Sequence, residues 1–361
     1  MKEVYAVIMA GGGGTRLWPL SRRTQPKHLL PLLGAETLFY STVDRLRGFL
    51  PPERILVVTT ADQFDILRSQ ALSIPDKNFL LEPEPRGTAG VVGLAASVLA
   101  QHNPQAVMCV LPSDHYIGNP EAFLSALRTA VAVAEDGYLV TLGIPPTFPS
   151  TGYGYIQRAE LLPGAFPQPV YRARRFVEKP DEVRARQMLD DGEHFWNSGI
   201  FVWRVDSILQ EIKRQMPELY QVLEQIQGIW GTAEQTSILP EVWRLAPIQT
   251  IDYGVMEHAE RIALVPASGL DWNDVGSWDS LFLVLEADEQ GNLVRNVEFF
   301  SLDSYRTLVY ANERKLIAAI GIEDLIVVDT GDALLLCRRG QSQQVRKVIE
   351  WLKQGERQEY L

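Results

Sequence analysis

The chain has 361 residues, of which 46% are hydrophobic and 22% are charged. This composition is typical of a globular protein with a large core, and the length indicates two domains or one large domain with an appendage. Lys and Arg total 34 against 45 Asp and Glu, so the formal net charge is −11. An acidic chain is a poor candidate for sequence-independent nucleic-acid binding, which requires positive charge to neutralise phosphates.

Apolar runs surround both cysteines, Cys109 and Cys337. This pattern predicts two buried thiols with no disulfide or zinc role. The N-terminus has no signal-peptide pattern, and no uninterrupted apolar stretch approaches the ~18 residues of a transmembrane helix. We therefore expect a soluble cytoplasmic protein that makes no membrane contact.

Up to about residue 142, apolar strand-like runs alternate with amphipathic helix-like segments. The pattern predicts strands at 4–9, 54–59, 106–111 and 138–142, and helices at 38–50, 62–72, 88–101 and 121–135. Apolar strands separated by helices are typical of a parallel sheet covered on both faces. We expect an α/β fold with a doubly wound, mostly parallel, Rossmann-like sheet. Ligands of such sheets bind beyond the carboxyl ends of the strands, so the loops after residues 9 and 111 are the first candidates for a site.

From about residue 147, Pro, Gly and aromatic residues become frequent. Here the pattern predicts strands at 152–156, 171–179 and 199–203, and one long helix at 206–226. After residue 286 it predicts short strands at 293–297, 306–310, 316–320, 325–329 and 333–337, followed by a helix at 342–352. Short, evenly spaced strands indicate a small β domain. The predicted division is therefore a large domain at 1–286 and a small C-terminal β domain at 287–361.

A glycine-rich segment directly follows the first strand. Residues 9–27 read MAGGGGTRLWPLSRRTQPK. Glycines allow several backbone N–H groups to approach a phosphate, and Arg16 and Lys27 add positive charges that suit phosphate oxygens. The segment lacks the Lys of a Walker A loop, and Arg16 stands where a dinucleotide fingerprint requires glycine. The alternative is a flexible turn, but the combination favours a phosphate-binding loop.

Two acidic motifs are candidates for binding a metal ion. Asp114 lies in LPSDH at 111–115, just after a predicted strand, and Asp274 lies in DWNDVGSW at 271–278. Mg²⁺ prefers one or two carboxylates together with phosphate oxygens and water. From the residues alone, a helix cap or turn explains Asp114 equally well, and a packed aromatic turn explains the second motif.

Taken together, AGGGGTRLWPLSR at 10–22, PKHL at 26–29, LPSDH and WNDVGSW resemble the sugar-phosphate nucleotidyltransferases. WPLSR at 18–22 is similar to the mannose-1-phosphate guanylyltransferase branch. The family usually has Ser at position 13 and Gln-Phe at 28–29, but neither difference removes a charge. The resemblance implies an enzyme that transfers GMP from GTP to mannose 1-phosphate, with Mg²⁺ and without a covalent enzyme intermediate.

The resemblance also implies a role for each matching residue. Arg16 and Lys27 are expected to be catalytic, and Asp114 and Asp274 to hold Mg²⁺. EPEPRGTAG at 82–90 resembles the guanine-recognition stretch, although Gly87 replaces the usual Asn, so the base contacts are expected from the backbone or from Glu82. The expected nucleotide-binding set is Ala10, Gly11, Gly12, Gly13, Gly14, Thr15, Glu82, Arg86, Thr88 and Ser113.

For the sugar phosphate, TGYGYI at 151–156, FVEKP at 176–180 and WNSGIF at 196–201 resemble the family's sugar-pocket segments. The resemblance implies that Gly154, Glu178, Lys179 and Asn197 bind the sugar phosphate. IDYGVME at 251–257 is expected at the pocket edge. From the residues alone, a Pro-rich loop is the less favoured alternative for 82–85, whereas a surface ion pair is the favoured explanation of Glu178 with Lys179.

The part of the chain after residue 293 resembles the C-terminal β portion of the same guanylyltransferases. The resemblance implies a left-handed β-helix-like fold with contacts between two copies, and hence a homodimer. Two alternatives are a transferase for another sugar 1-phosphate or base, and a catalytically silent regulatory homologue. WPLSR and WNDVGSW argue against the first, and the presence of Arg16, Lys27, Asp114 and Asp274 argues against the second.

Overall fold

The computed structural model describes residues 3–12, 14–355 and 357–361. The chain divides into two compact units. The first comprises Met1–Gly11, Val43–Ser113 and Ile117–Trp272, and the second comprises Gly12–Thr42, Asp114–Tyr116 and Asn273–Leu361. Among the described residues, no helix has both the length and the apolar character needed to span a bilayer. The domain boundary after residue 286 and the cytoplasmic location stay predictions.

In the chain up to residue 273, strands and helices alternate as far as residue 144 much as the sequence pattern predicts, with the short strand Tyr116–Ile117 added, and beyond residue 144 the alternation is lost. The strands are β1 (Val4–Met9), β2 (Ile55–Thr60), β3 (Phe79–Glu82), β4 (Val107–Pro112), β5 (Tyr116–Ile117), β6 (Leu139–Ile144), β7 (Tyr155–Leu161), β8 (Tyr171–Val177), β9 (His194–Arg204), β10 (Ile262–Pro266) and β11 (Trp272–Asn273). The helices are α1 (Leu38–Asp44), α2 (Phe64–Gln70), α3 (Thr88–Ala100), α4 (Pro120–Glu135), α5 (Glu182–Asp190), α6 (Val205–Gln215), α7 (Pro217–Ile229) and α8 (Gln235–Trp243).

The described part of the first unit is built on one nine-stranded sheet with the order β3-β2-β1-β4-β9-β6-β10-β8-β7. β1, β2, β3 and β4 are parallel, and β10 is parallel to β6. β9 runs antiparallel to both β4 and β6, and β8 runs antiparallel to β10 and β7. All strands of this sheet except β8 and β9 therefore point in one direction, which confirms the predicted mostly parallel α/β class. The carboxyl ends of β1, β3 and β4 share one edge, where Gly11, Glu82 and Ser113 lie.

The first unit's core lies between the sheet and a layer formed by α3, α6 and α7. Every residue of α3 from Ala89 to Leu99 is buried, because the helix packs on the sheet on one side and on other helices on the other. Small residues make this close packing possible: a Cβ at Gly93 would lie 2.6 Å from the Leu223 Cδ1 atom. The buried surface of α3 thus fixes the position of this helix, which begins at Thr88, directly after the loop that follows β3.

Two helices are shorter than the sequence pattern predicts. The predicted helix at 206–226 is divided into α6 and α7 because Pro217 lacks the N–H that a continuous helix requires, and Pro217 instead begins α7. The predicted helix at 38–50 ends at Asp44, after which Leu46 and Arg47 form i→i−3 hydrogen bonds that lead to Gly48 at φ +77°. The pattern also missed β3 and β10, whose 4 and 5 residues give little periodic signal.

The second unit contains the remaining elements. They are α9 (Leu281–Val284), β12 (Leu293–Arg295), β13 (Glu298–Leu302), β14 (Leu308–Ala311), β15 (Leu316–Ile320), β16 (Leu325–Asp329), β17 (Leu334–Arg338) and α10 (Val345–Gln354). β12, β14 and β16 pair in parallel in one sheet, which β17 extends as an antiparallel strand, and β13 pairs with β15 in another. Cys337 on β17 is only partly buried, unlike Cys109, so the prediction of two buried thiols was wrong for Cys337.

Three of the four parallel pairings among the described residues of the second unit share one spacing, whereas Leu293 of β12 pairs with Leu308 of β14, 15 residues further on. Glu298 pairs with Leu316, Tyr305 with Glu323, and Leu308 with Ile326, and each pair is separated by 18 residues along the chain. Successive turns of chain therefore stack in register, as in a β-helix. Their buried side chains share one cluster with the segment that follows the glycine loop, including Leu17, Trp18, Leu293, Leu308, Ile326 and Val328.

Gly143 provides a test of the packing of the first unit's sheet. An added Cβ at this position in β6 would lie 2.4 Å from the Leu264 Cδ1 atom and 2.8 Å from the Phe195 Cβ atom. We expect Gly143→Ala to lower the free energy of unfolding by about 1–3 kcal/mol, measured by denaturant titration. The matched control is Gly228→Ala in α7, where nothing described lies within 4 Å of the added Cβ. There the helix propensity of Ala should raise stability by up to about 1 kcal/mol, and equal effects at both sites would contradict the packing account.

Candidate active site

Three residues predicted to be catalytic or metal-binding converge in the second unit. Lys27 begins a short helix, Lys27–Leu29, and its side chain is only 7% exposed. Its ammonium donates a hydrogen bond to Asp114 Oδ2 at 2.7 Å and a second, short one to the backbone carbonyl of Asp274. Asp114 and Asp274 are 160 positions apart in the sequence, yet both contact the same cation.

Gly14 determines where Lys27 can lie. Its backbone is left-handed at φ +49°, and a Cβ at this position would lie 2.5 Å from the Lys27 Cβ atom. A side chain is therefore excluded on both conformational and steric grounds. Arg16, half-buried, follows directly in the short helix Thr15–Leu17, and Thr15 is exposed. Gly12 is exposed at φ +97°, and Gly13 lies outside the described residues.

The loop that carries Asp274 is fixed by local hydrogen bonds. Val275 N donates to Asn273 Oδ1 at 2.7 Å, and Gly276 N donates to Asp274 Oδ1 at 3.1 Å. The fully buried Trp278 donates from its indole nitrogen to the carbonyl of Trp18 at 3.0 Å. The loop is thus a packed aromatic turn, which is compatible with its acidic residue also holding a ligand.

The charges around Asp114 determine its protonation state. Burial by itself raises the pKa of the Asp114 carboxyl, but the Lys27 ammonium, His115 and His28 outweigh this effect and hold that pKa well below its usual range. The carboxylate is therefore ionised at neutral pH. Its side chain keeps 35% exposure, and His115 Nε2 lies 3.9 Å from Oδ1. Within the described residues, no group of three or more His, Cys, Asp or Glu forms a metal cluster, so a metal ion here would have at most two protein carboxylates.

In the first unit, a buried carboxyl group, that of Glu82, lies at the carboxyl end of β3. It is 2% exposed, and its Oε2 atom is buried without a hydrogen-bond partner in the described structure. Burial raises the pKa of the Glu82 carboxyl to about 7, although a hydrogen bond from the Arg86 backbone lowers it in part. Gly11 lies beside this carboxyl, since a Cβ there would be 3.4 Å from Oε1. Ala10 N and Ser113 N donate to the carbonyls of Val58 and Met9, which fixes both loops to the sheet.

The loop at 86–89 is held by a second segment of the chain. Ala89 N donates to the Gln249 carbonyl at 3.1 Å, and Ile251 N donates to Thr88 Oγ1 at 2.9 Å. Gly87 has φ +79°, and a Cβ there would lie 2.3 Å from the Gln249 oxygen. The glycine that replaces the family's Asn is thus required by this packing. The Thr88 hydroxyl, predicted to bind nucleotide, accepts a backbone hydrogen bond, and the Arg86 side chain forms an ion pair with Glu84.

The predicted sugar-binding residues also lie together in the first unit. A Cβ at Gly154 would lie 2.4 Å from Glu178 Oε2, and Asn197 N donates to the Gly154 carbonyl at 2.8 Å. Lys179, at φ +44°, forms an ion pair with Glu178 while its side chain stays 60% exposed. The four residues therefore surround one small region, and their ligand contacts stay predictions.

Sequence reasoning placed no specific role on Asp252, which the structure puts in this group. Its Oδ1 accepts a hydrogen bond from Asn197 Nδ2 at 2.6 Å. Burial raises the pKa of the Asp252 carboxyl, and the negative charge of Glu178 raises it further, whereas the Asn197 hydrogen bond lowers it. The signal in the sequence was IDYGVME at 251–257, in which Asp252 directly follows the apolar Ile251.

Aromatic rings form a wall beside the sugar-binding residues. The Tyr153 ring centroid lies 5.0 Å from that of Trp196 and 5.4 Å from that of Trp272, and Phe148 packs on Trp196 at 4.8 Å. Tyr153 and Trp196 directly precede Gly154 and Asn197 in the sequence. The rings therefore limit the freedom of the two backbone segments that carry polar groups.

The pKa of Glu82 leads to a stability prediction. The folded protein holds a proton that the unfolded chain, whose Glu has a pKa near 4.5, releases. The contribution of Glu82 to stability therefore falls as the pH rises from about 4.5 to about 7. In the wild type, this loss should lower the free energy of unfolding by an amount on the order of 3 kcal/mol, and we expect Glu82→Gln to abolish it. Denaturant unfolding below, within and above this pH range measures the difference. Glu53→Gln, at an exposed position, should keep the wild-type slope. Identical slopes for Glu82→Gln and the wild type would show that this carboxyl is not desolvated.

Comparison with known proteins places the chain in a family. The profile described as Nucleotidyl transferase matches residues 5–291, and the profile described as MannoseP isomerase/GMP-like beta-helix domain matches residues 297–352. The mannose-1-phosphate guanylyltransferase of Klebsiella pneumoniae is 40% identical over 359 residues, which cover 98% of this chain and 75% of the relative. The alginate biosynthesis protein AlgA of Pseudomonas putida is 38% identical over 359 residues, which cover 98% and 72%.

A solved structure agrees with these matches. The crystal structure described as a mannose-1-phosphate geranyltransferase from Thermus thermophilus superposes with a TM-score of 0.87 at 37% identity, covering 98% of this chain and 100% of that one. The resemblance inferred from the glycine loop and the acidic motifs is therefore confirmed. The chain belongs to the nucleotidyl transferase family and carries the C-terminal β-helix domain of its mannose-phosphate branch.

Proposed function

We propose that the chain transfers GMP from GTP to α-D-mannose 1-phosphate, giving GDP-mannose and pyrophosphate. The observation that carries this proposal is the contact of one buried ammonium, that of Lys27, with both Asp114 and Asp274. The identity of the substrates is supported by similarity to relatives named mannose-1-phosphate guanylyltransferase from Klebsiella pneumoniae and Escherichia coli.

The chemistry requires that two polyanions approach each other. A phosphate oxygen of the sugar 1-phosphate attacks the α-phosphorus of the triphosphate in line, and the bond to the β-phosphate oxygen breaks as pyrophosphate leaves. Lys27 and Arg16 offset the negative charge that develops on the phosphates. The catalytic contribution of the protein is then positioning and electrostatic stabilisation, and no side chain acts as a nucleophile.

Asp114 and Asp274 fit the requirements of Mg²⁺. This ion commonly takes one or two carboxylates together with substrate phosphate oxygens and water. Asp114 Oδ2 accepts a hydrogen bond from Lys27. The low pKa of this carboxyl and the 35% exposure of its side chain nevertheless leave an ionised, accessible carboxylate. When bound, Mg²⁺ supplies charge neutralisation at the phosphates. The two carboxylates would hold the ion, and Lys27 would keep Asp114 oriented toward it.

Guanine selection is assigned to Glu82. Guanine presents two adjacent donors, N1–H and the N2 amino group, and a carboxylate offers two acceptor oxygens. The buried Glu82 has an oxygen, Oε2, without a partner in the described structure. Adenine presents an acceptor at N1, so it matches a carboxylate less well. Because only the ionised carboxylate accepts both hydrogen bonds, binding of guanine favours release of the Glu82 proton.

Mannose 1-phosphate is assigned to the group around Asn197. Glu178 and Asp252 accept hydrogen bonds from sugar hydroxyls, and Asn197 is oriented by its 2.6 Å hydrogen bond to Asp252. Lys179 has a largely exposed ammonium that suits the sugar phosphate. Gly154 leaves the space that a side chain would take beside Glu178.

We also propose that two copies of the chain associate through the outer face of β13 and β15. This face carries Phe300, Leu316 and Ile320, which are 53%, 67% and 65% exposed. Phe300 pairs with Ala318 and Leu302 with Ile320 in the register, so the apolar side chains are contiguous. The exposed Glu298 lies at one end of this face, opposite Leu316. The contiguous apolar part is an unfavourable surface to leave in water, and a second copy offers the same apolar part.

Lys27→Met tests the central cation. The substitution keeps much of the aliphatic stem but removes the charge that offsets the phosphates. We expect kcat for pyrophosphate release from GTP and mannose 1-phosphate to fall by about 10²–10³-fold. Arg23→Met, which removes an exposed positive charge close by in the sequence, is the matched control and should stay near wild-type activity. Equal activity of the two variants, with both folded by circular dichroism, would contradict the role of Lys27.

Glu82→Gln tests the assignment of guanine. Loss of a hydrogen bond to a charged group typically removes about 1.5–3 kcal/mol, so the KM for GTP should rise by roughly 10–100-fold. Inosine triphosphate lacks the N2 amino group, so the wild type should prefer GTP over it and the variant should lose most of that preference. Glu84→Gln, in the same loop but 46% exposed, should retain the preference. An unchanged GTP preference in Glu82→Gln would assign guanine recognition elsewhere.

The dimer proposal is tested by molar mass in light scattering. The wild type should show twice the 40.6 kDa mass of one chain, and Phe300→Glu should show the mass of one chain. Leu72→Glu, which replaces a 77% exposed apolar residue elsewhere, is the control and should stay dimeric. A wild type with the mass of a single chain at micromolar concentration would contradict the proposal.

A further inference from the structure

Strand β17 is connected to two loops that carry candidate catalytic groups. It lies at one end of its sheet and runs antiparallel to β16. The residues just before it contact the segment 15–23, which carries Arg16. The residues just after it contact the residue that follows the acidic turn 273–278, which carries Asp274. All of these residues belong to the second unit, so one short strand is attached to both loops within a single unit.

The contact before β17 uses the whole guanidinium of Arg22. Its Nε donates to the Pro19 carbonyl at 3.0 Å, and its Nη1 donates to Asp332 Oδ2 at 2.7 Å and to the Glu359 carbonyl at 3.1 Å. Its Nη2 donates to Asp332 Oδ1 at 2.8 Å and to Thr330 Oγ1 at 3.2 Å. These bonds use every N–H donor of a guanidinium, so none is left for a phosphate.

The ion pair of Arg22 with Asp332 is of a kind that fixes geometry. Exposed ion pairs commonly contribute little, except where an arginine holds a carboxylate through two parallel bonds. Here both Asp332 oxygens are bound, and the Arg22 side chain is only 15% exposed. Arg22 also exchanges two backbone hydrogen bonds of 3.0 Å with Gln25, two residues before Lys27. The anchored arginine therefore fixes the turn that leads into Lys27.

The contact after β17 is made by Asp279. Its Oδ1 accepts from Gly340 N at 2.6 Å, and its Oδ2 accepts from Ser342 N at 3.2 Å and, through a short bond, from the Ser342 hydroxyl. The same hydroxyl accepts from Asp279 N at 3.2 Å, and Ser342 is fully buried. Asp279 directly follows Trp278, whose indole N–H donates to the Trp18 carbonyl. The end of the acidic turn is thus attached to the chain just beyond β17.

A strand that is paired along its length keeps a fixed distance between its two ends. β17 has five residues, and all five pair with β16. At a rise of about 3.4 Å per residue, the strand spans roughly 17 Å. Lys27 lies beyond one attached residue and Asp274 lies before the other. The hydrogen bond from Lys27 to the Asp274 carbonyl therefore joins two segments whose separation depends on β17.

We propose that β17 is a rigid spacer that sets the position of Lys27 relative to Asp274, with Arg22 and Asp279 as the positioning residues at its two ends. Neither positioning residue touches the substrates. The C-terminal β domain thus contributes to catalysis, in addition to carrying the face proposed for association of two copies. The effect on catalysis rests on the proposed function, whereas the attachment of the two loops to β17 does not.

The kinetic test releases each end of β17 separately and then both together. Asp332→Asn and Asp279→Asn should each lower kcat for pyrophosphate release from GTP and mannose 1-phosphate by about tenfold, because small displacements of catalytic groups are costly. The KM for mannose 1-phosphate, whose assigned residues lie in the first unit, should stay within about twofold of the wild type. The double variant should be at most about threefold slower than either single variant, whereas independent effects at separate sites would multiply to about a hundredfold.

The matched control is Asp324→Asn. Asp324 accepts two hydrogen bonds from Arg306, at 2.9 and 3.1 Å, so the substitution removes an ion pair of the same two-bond kind from the same β domain. This pair joins two other turns of the chain. The control variant should therefore keep the kcat of the wild type, even if it loses as much stability as the other two variants.

Hydrogen exchange of the protein without substrates provides a second readout, which does not depend on the proposed function. Asp332→Asn should speed exchange at the Gln25 amide. It should also speed exchange at Val275 and Gly276, because the released turn weakens the hydrogen bond from Lys27 to Asp274. Asp324→Asn should leave exchange at these amides unchanged.

Three results would overturn the spacer: faster exchange confined to the neighbourhood of Gln25 in Asp332→Asn, a wild-type kcat in either single variant, or kcat losses that multiply in the double variant. A different result separates the two proposals. If the wild type releases no pyrophosphate from GTP and mannose 1-phosphate, but Asp332→Asn still speeds exchange at Val275 and Gly276, the proposed function fails and the spacer stands.

Discussion

The hydrogen bonds of the buried Lys27 ammonium are the interaction on which the rest of the candidate site depends. A charged lysine side chain that is only 7% exposed is stable only with close partners, and here they are the Asp114 carboxylate and the Asp274 carbonyl. The pair requires Gly14, because a side chain there would displace Lys27. It also requires the aromatic turn that positions Asp274. The glycine loop, the strand-end Asp and the distant acidic turn are therefore parts of one electrostatic arrangement.

In the first unit, the dominant effect is instead the burial of carboxyl groups away from water, which raises their pKa. Glu82 and Asp252 are carboxyls whose pKa burial raises, and each lies beside a glycine or amide that leaves room for a ligand. A desolvated carboxylate has unmet hydrogen-bonding capacity that a base or a sugar can satisfy. The short segment at 249–252 connects the two groups, since it hydrogen-bonds the 86–89 loop and carries Asp252.

Part of the fold and of the candidate site could be predicted from the sequence, because their signals lie within short segments of the chain. The apolar strands β1, β2 and β4 and the glycine loop gave local signals that do not depend on distant parts of the chain. The antiparallel placement of β9 between β4 and β6 could not be predicted, because pairing between distant strands leaves no local pattern. The same holds for the position of Asp252 beside Asn197. Pro217 could have indicated the break between α6 and α7, but the helical periodicity on both sides of it led to the prediction of one continuous helix.

The most direct measurement is pyrophosphate release with Mg²⁺, with GTP, ATP, UTP and dTTP each paired with mannose 1-phosphate and with glucose 1-phosphate, for the wild type and Asp114→Asn. The account predicts release that is confined to GTP with mannose 1-phosphate and is reduced at least about 10²-fold in Asp114→Asn. Release from a different pair would keep the mechanism but contradict the assigned substrates. Undiminished release in Asp114→Asn, or no release from folded wild-type protein that binds nucleotide, would contradict the central claim that Lys27, Asp114 and Asp274 carry out the transfer.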